Sequence, residues 1–484
     1  MKRYSRILFC LFYLALQIYS GELIAQNKIK TGASRPNIIF ILTDDQRWDA
    51  LGAMGNSIIQ TPNMDRLANS GVLFQNAYVT TSICSVSRAS ILTGKYESGH
   101  KINDFETDLT STALEETYPF LLKKSGYNIG FIGKFGIGTH PPAADFNYFV
   151  NTEAGAEKGN LQPNYITINK KGQKIHDTDT INNAIQDFLV KFSNKKPFCL
   201  SISFKAPHEQ DGYPPTYIIQ PKYKDYYKNV DIPLPVTAKQ KYWEALPDFL
   251  GNNTNFGRAR WKGLFGTPEL YQENVKNYYR LITGVDDVVG DIVKKLKSLG
   301  IDKDTIIIVM GDNGMFLGEH GMEGKWYGYE ESIRVPLLIY DPNLPDKVTQ
   351  YKAQQIALNI DIAPTILSMA GVSIPKNMQG VNLVELFENK VPERDDFFYQ
   401  HYFLGGLRIP MVEGVITKNF KYMNYIEHNY EQLFDIEHDP HETTNLAQDP
   451  EYVLKLKKLR NRYGELKKLH GLPAKDLKKI DSSF

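Results

Sequence analysis

Asn37-Ile38-Ile39-Phe40-Ile41-Leu42-Thr43 is a short, unbroken apolar run that stops at the paired carboxylates Asp44-Asp45. A strand with one wet face alternates apolar and polar residues. One that does not alternate is buried on both faces, as in a parallel sheet covered by helices. Runs of the same kind recur at 127–133, 198–204, 305–310 and 335–340. Helical patterns separate them. Thr61-Pro62 opens one that Gly71 closes. Others cover 114–124, 180–192 and 268–299, the last with a potential break at Gly284. This alternation predicts an α/β fold: a large mixed, mostly parallel sheet sandwiched by helices. From about Asp396 the pattern changes. Short strand-like runs at 411–417 and 420–426 lead to a Lys-rich helix from Glu451, predicting a smaller C-terminal α+β domain with an antiparallel sheet and terminal helix. The expected division is a signal peptide over 1–25, a catalytic domain over 26–385 and the α+β subdomain over 386–484.

Residues 1–25 have a charged head (Lys2, Arg3, Arg6), an apolar middle and a small-residue exit at Ala25, the layout of a secretory signal peptide. The apolar stretch is short for a bilayer span. The expected product is exported, to the periplasm or the medium, without stable membrane insertion. The 484 residues carry 56 Lys plus Arg against 55 Asp plus Glu, so no charge excess points to nucleic acid. With three cysteines, a disulfide scaffold is excluded. Cys10 leaves with the signal segment, and Cys199 falls in the apolar run 198–204, as a small core residue would.

In open α/β sheets, ligands bind beyond the carboxyl ends of the strands. Four predicted strands end in chemically useful groups: Asp44-Asp45, Gly133-Lys134, Ala206-Pro207-His208, and Gly311-Asp312-Asn313-Gly314. Adjacent carboxylates repel unless a cation separates them. Asp44, Asp45, Asp312 and Asn313 are an all-oxygen donor set suited to a hard divalent cation, which these donors alone leave as Ca2+ or Mg2+; the cofactor expected is Ca2+ ahead of Mg2+. Cys84 precedes a short helical pattern over 87–93 and lies beside Arg88. A helix start and a guanidinium both favour negative charge there, while a buried structural cysteine is the plainer reading of the same pattern.

Cys84, Arg88, Thr93 and Gly94 match the signature of the type I sulfatases of the alkaline phosphatase superfamily: Cys or Ser, any residue, Pro or Ala, any residue, Arg, then Thr-Gly. Asp44-Asp45-Gln46, Gly133-Lys134, Pro207-His208, Asp312-Asn313-Gly314, Leu317-Gly318-Glu319-His320-Gly321 and Gly324-Lys325 follow with similar spacing. The closing stretch resembles the family at Leu433-Phe434-Asp435, Asp439-Pro440 and 442–446. The resemblance covers roughly residues 35–450. It implies that a formylglycine-generating enzyme oxidises Cys84 to formylglycine, whose hydrate attacks the sulfur of a sulfate ester. It implies a metal site of Asp44, Asp45, modified Cys84, Asp312 and Asn313. It further implies that Arg88 stabilises the diol oxyanion, that Lys134 and Lys325 balance charge on the sulfuryl oxygens, and that His208 or Lys325 protonates the leaving oxygen.

Two positions depart from the family. Val86 replaces the Pro or Ala of the signature, a position the modifying enzyme reads. Gly136 stands where many members have a histidine, with His140 four residues on. His100 and His140 are candidate pocket residues. Arg258, Arg260 and Arg408 are candidates to hold a uronate or second sulfate, and Tyr213, Tyr242, Trp243, Trp261 and Trp326 to stack on sugar. The aromatic, polar stretch 211–265 is a candidate for substrate-shaping loops. The expected substrate is a sulfated saccharide. A phosphodiesterase or phosphonate monoester hydrolase of the same superfamily, and a non-catalytic sulfated-glycan binder, remain as alternatives.

Overall fold

A computed structural model describes residues 35–153, 165–168, 171–194, 196–212, 214–344, 350–387, 390, 392–402, 409–473 and 476–477. The expected leader 1–25, and with it Cys10, lies outside these residues, as do Tyr213 and Arg408. The main sheet is built from β1 (Asn37–Asp44), β2 (Val72–Tyr78), β3 (Asn128–Gly133), β4 (Tyr148–Asn151), β5 (Phe198–Pro207), β6 (Thr305–Gly311), β7 (Leu337–Tyr340) and β8 (Tyr351–Leu358). Their order is β8-β2-β7-β6-β1-β5-β3-β4. Only β7 runs against its neighbours, β2 and β6; the other pairings are parallel.

The opening run occupies the middle of this sheet. Ile38 to Leu42 pair in register with Ile306 to Met310 of β6 and Cys199 to Ser203 of β5. Its side chains divide between two cores, Ile38, Phe40 and Leu42 to one and Ile39 and Ile41 to the other, which is why no alternation is visible. On one face lie α1 (Pro62–Asn69), α4 (Asp177–Phe192) and the long α6 (Pro268–Ser298); on the other lie α2 (Cys84–Thr93), α3 (Tyr118–Lys124) and α7 (Ile362–Met369). Cys199 is a buried member of the core that holds Ile38, Phe40 and Leu42.

The sequence reading does not contain β2, β4 and β8, and three further elements differ from it. The pattern over 114–124 forms two short helices, Ser111–Glu115 and α3, because Pro119 has no N–H to continue the first and instead sits in the first turn of the second. Gly284 does not break α6. A Cβ there would lie 2.4 Å from Gln220 Oε1, so the glycine admits the neighbouring loop. The loop region 211–265 contains α5 (Phe256–Leu264) and smaller helical turns.

The C-terminal part is an antiparallel meander of β9 (Asp396–His401), β10 (Val412–Thr417), β11 (Phe420–Tyr425) and β12 (Tyr430–Asp435), with α8 (Val453–His470) against it. Lys421 of β11 is wholly buried, with Nζ 3.0 Å from Glu330 and 2.6 Å from Glu442. Burial pushes the Glu442 carboxyl up to about 7; Lys421 pulls it down and Glu330 pushes it further up. Without Lys421 the two carboxylates lose their counter-charge. A carboxyl raised in the folded state contributes stability at low pH that is lost as pH rises. Lys421→Met is therefore expected to lose about 3–5 kcal/mol relative to wild type above pH 7, and less near pH 5.5. Urea unfolding at both pH values checks this, and a larger loss at the acidic pH would contradict it.

Candidate active site

Because β1, β5 and β6 are parallel neighbours, their carboxyl ends share one edge, with β3 next in order. Asp44 closes β1, and Asp45 adopts a left-handed backbone conformation with φ of 63°. The Asp45 N–H donates to Asp312 Oδ1 at 3.1 Å, and the Asp312 N–H donates to the Thr43 carbonyl at 2.9 Å. These bonds lock the two acidic turns together. Cys84 is the first residue of α2 and is buried. Single ligand atoms of Asp44, Asp45, Cys84 and His208 all lie within 4.8 Å of one another.

Arg88 lies one turn into α2. Its Nε and Nη2 each lie 2.8 Å from Asp312 Oδ2, and Nη2 lies 3.5 Å from Asp44. Its Nη1 donates to the Lys134 carbonyl at 2.8 Å and to Ser203 Oγ. The Lys134 ammonium sits 2.6 Å from Asp44 Oδ2. The Lys325 ammonium contacts Asp45 and lies 3.3 Å from Cys84 Sγ. His208 Nε2 is 3.4 Å from Asp45. Burial alone would raise the Asp44 carboxyl, but Lys134, His208, Arg88 and Lys325 together hold it well below the usual carboxylate range. Burial opposes protonation of His208, yet Asp45 and Glu209 outweigh it and raise its pKa.

For Cys84 the sequence leaves two local readings, an activated thiolate and a buried structural cysteine. A helix start beside an arginine favours a thiolate. Here burial pushes the thiol up to about 12, against the pull of Lys134 and Lys325, and with Asp44 and Asp312 adding to the rise. Arg88 spends its charge on those two acids. As a thiol, Cys84 is a poor nucleophile, since the thiolate is the reactive form.

Asp44 Oδ1 and Asn313 Oδ1 are buried and accept no hydrogen bond. Orphaned oxygens beside clustered carboxylates fit a hard cation, because an unmatched buried acceptor is otherwise costly. Asp44, Asp45, Asp312 and Asn313 are the residues present to hold one.

Asp45, Cys84, His208 and Lys325 form the floor of a 280 Å³ cavity, with Ile83, Phe105, Glu209, Asp211, Phe256, Arg260, Glu323 and Trp326 around it. The other candidates divide. Arg260 lines this cavity. Arg258 does not: its guanidinium is stacked 3.9 Å from the Trp243 ring centre and 4.1 Å from that of Trp261, and it donates to the Gly321 carbonyl at 2.7 Å. That geometry makes Trp243, Trp261 and Arg258 a structural sandwich. His100 is buried behind α2, with Nε2 3.0 Å from Ser90 Oγ, and its Nδ1 accepts from the Ile102 N–H. Burial lowers its pKa to about 3. The His140 side chain is 83% exposed and pairs with Asp108 at 2.9 Å, away from the cavity lining. Tyr242 likewise lies off the lining, and Val86 is buried in the core.

Sequence reading missed Glu209, Asp211 and Glu323. A signal was available: Glu209 follows His208 directly, Asp211 lies three residues after it, and Glu323 is two residues before Lys325. Ser203 was also missed, although it sits on a strand already aimed at the site.

A sulfatase family model matches residues 36–372, and a model of the C-terminal part of N-sulphoglucosamine sulphohydrolase matches residues 318–469. The chain belongs to the sulfatase family and is a type I sulfatase of the alkaline phosphatase superfamily, an enzyme that hydrolyses sulfuric esters. The N-acetylglucosamine-6-O-sulfatase of Bacteroides thetaiotaomicron is 29% identical over 458 residues, covering 82% of this chain and 80% of that protein. A solved structure in complex with its substrate, D-glucosamine-2-N,6-O-disulfate, has a TM-score of 0.76 at 27% identity, covering 90% of this chain and 98% of that one. The phosphonate monoester hydrolase of Agrobacterium radiobacter has a TM-score of 0.75 at 22% identity, covering 90% of this chain and 96% of that one, a likeness of fold.

Gly136 has a physical reason. Its φ is 68°, and a Cβ there would lie 2.9 Å from Arg88 Cδ and 3.4 Å from Lys134 Cε. Gly136→Ala is expected to cost about 1–2 kcal/mol through its backbone conformation and to lower sulfate ester turnover by displacing Arg88. Thermal unfolding and a rate assay with an aryl sulfate check both effects. Unchanged Tm and turnover would show that Arg88 has room to move.

Proposed function

We propose that this sulfatase removes sulfate from a saccharide ester, using a formylglycine made from Cys84 and one divalent cation, Ca2+ rather than Mg2+. The observation that carries the reading is the convergence of Asp44, Asp45, Cys84 and His208 within 4.8 Å of one another, with Lys325 against Cys84 and all but Asp44 lining one cavity. The named substrates of the relatives, sulfated glucosamines, support a sulfated sugar.

When present, formylglycine supplies a hydrated aldehyde whose oxygen is the nucleophile toward sulfur. When bound between Asp44, Asp45, Asp312 and Asn313, the cation supplies Lewis-acid polarisation of the sulfate oxygens. The chain's own residues do the rest. Lys134 and Lys325 place two ammonium groups over the developing sulfuryl charge, prepaid in position by Asp44 and Asp45. Arg88, held by Asp312, fixes the first turn of α2 and keeps position 84 against the acids. His208 borders the open part of the cavity beside Asp211, where it holds the proton for the departing sugar oxygen. A formylglycine-generating enzyme is the partner required before activity. Export, to the periplasm or the medium, accords with the leader-like residues 1–25. Among the described residues no helix is long and apolar enough to cross a membrane.

Intact mass of the Cys84 tryptic peptide from the native host is expected to show a carbonyl oxygen in place of the thiol. Cys84→Ala is expected to abolish hydrolysis of sulfate esters while keeping the fold. Lys134→Ala and Lys325→Ala are expected to lower kcat by about 100-fold or more, with smaller effects on KM. A chelator is expected to inactivate the enzyme, and Ca2+ to restore it better than Mg2+. An unmodified thiol in fully active enzyme would overturn the proposal, and so would higher rates on phosphate diesters or phosphonate esters than on sulfated sugars.

A further inference from the structure

Three carboxylates, Glu209, Asp211 and Glu323, line the wall of the cavity, with Arg260 among them. Arg260 Nε donates to Glu323 at 2.6 Å, and Nη2 reaches the same carboxylate at 3.3 Å. Nη2 also contacts Glu209, and Nη1 donates to Asp211 at 3.2 Å. One guanidinium thus serves three carboxylates, and its side chain is only 12% exposed. Of the cations of the floor, Lys325 is engaged with Asp45, and His208 is shared between Asp45 at 3.4 Å and Glu209 at 3.9 Å. Glu209 Oε2 is buried without a hydrogen-bond partner. The Asp211 side chain is 44% exposed and is the acid that meets the cavity mouth. The rest of the wall is aromatic, from Phe105, Phe256 and Trp326.

The sequence reading gave Arg260 to a uronate or a second sulfate. The geometry points to the opposite, and we propose that the Glu209-Asp211-Glu323 wall selects a sugar that is neutral or amine-bearing next to the ester, and rejects one with a second anion. This rests on the saccharide sulfatase reading above and deepens it. A like charge brought against an undercompensated acidic wall is repelled, whereas an ammonium is attracted. The aromatic faces contribute apolar contact with the ring that does not depend on charge. The specificity-determining residue open to solvent is Asp211.

The test uses three probes: glucosamine 6-sulfate, N-acetylglucosamine 6-sulfate and glucosamine 2-N,6-O-disulfate. Binding is measured by calorimetry to the Cys84→Ala protein, and kcat/KM on the mature enzyme, at low and high salt. The expected result is at least about tenfold weaker binding of the disulfate than of the other two at low salt. Asp211→Asn is expected to narrow that ratio several-fold, through KM rather than kcat, with its Tm showing an intact fold. Equal or tighter binding of the disulfate would overturn the proposal, and so would a ratio that Asp211→Asn leaves unchanged. Failure of the mature enzyme to hydrolyse any of the three would count against the saccharide sulfatase reading. The binding order decides charge selection separately.

Discussion

The ion pair between Arg88 and Asp312, with Asp44 at its flank, is the constraint from which the site follows. Carboxylates taken out of water at the end of a sheet are tolerated only if opposite charge and hydrogen bonds replace the solvent. Arg88 supplies both. Its guanidinium ties α2 to β1 and β6 through the two acids, to β5 through Ser203, and to the turn after β3 through the Lys134 carbonyl. Four strands and a helix therefore meet on one planar group, and position 84 is held four residues from it. The fork geometry explains why a lysine is no substitute: a point charge cannot serve four separate acceptors at once.

The sheet makes this meeting possible. Parallel strands in register end together, so β1, β5 and β6 deliver their terminal residues to one edge without any contact between them in sequence. The two cores on either side, fed by alternate residues of the same strands, leave that edge little freedom. The cavity above it is built from the turn after β5, from α5 and from the segment around Glu323. There the charge balance reverses, from an electropositive rim around the acids of the floor to carboxylates that outnumber their single arginine.

Much of this was legible in the sequence because the determinants are local. Unbroken apolar runs gave the buried strands, and the polar residues that ended them gave the floor of the site. The errors arose where a neighbour distant in sequence decides. Gly284 looked like a helix break until Gln220 packed against it. Arg258 and Arg260 looked alike as basic residues of one loop, yet one lies between two tryptophans and the other among three acids. His100 and His140 were candidates on proximity to motifs, and burial against Ser90 and pairing with Asp108 separate them from the cavity.

By itself, the sequence determined the fold class, five of the eight strands of the sheet, the family, and the acids, Lys134 and His208 at the strand ends. Each of these depends on residue type and short spacing, which a linear chain records directly. The tertiary structure alone decided the ionisation of Cys84, the employment of Arg88 and Arg260, and the sign of charge on the cavity wall. Those properties depend on burial and on Coulomb interactions over a few ångströms, between residues that the chain places scores to hundreds of positions apart.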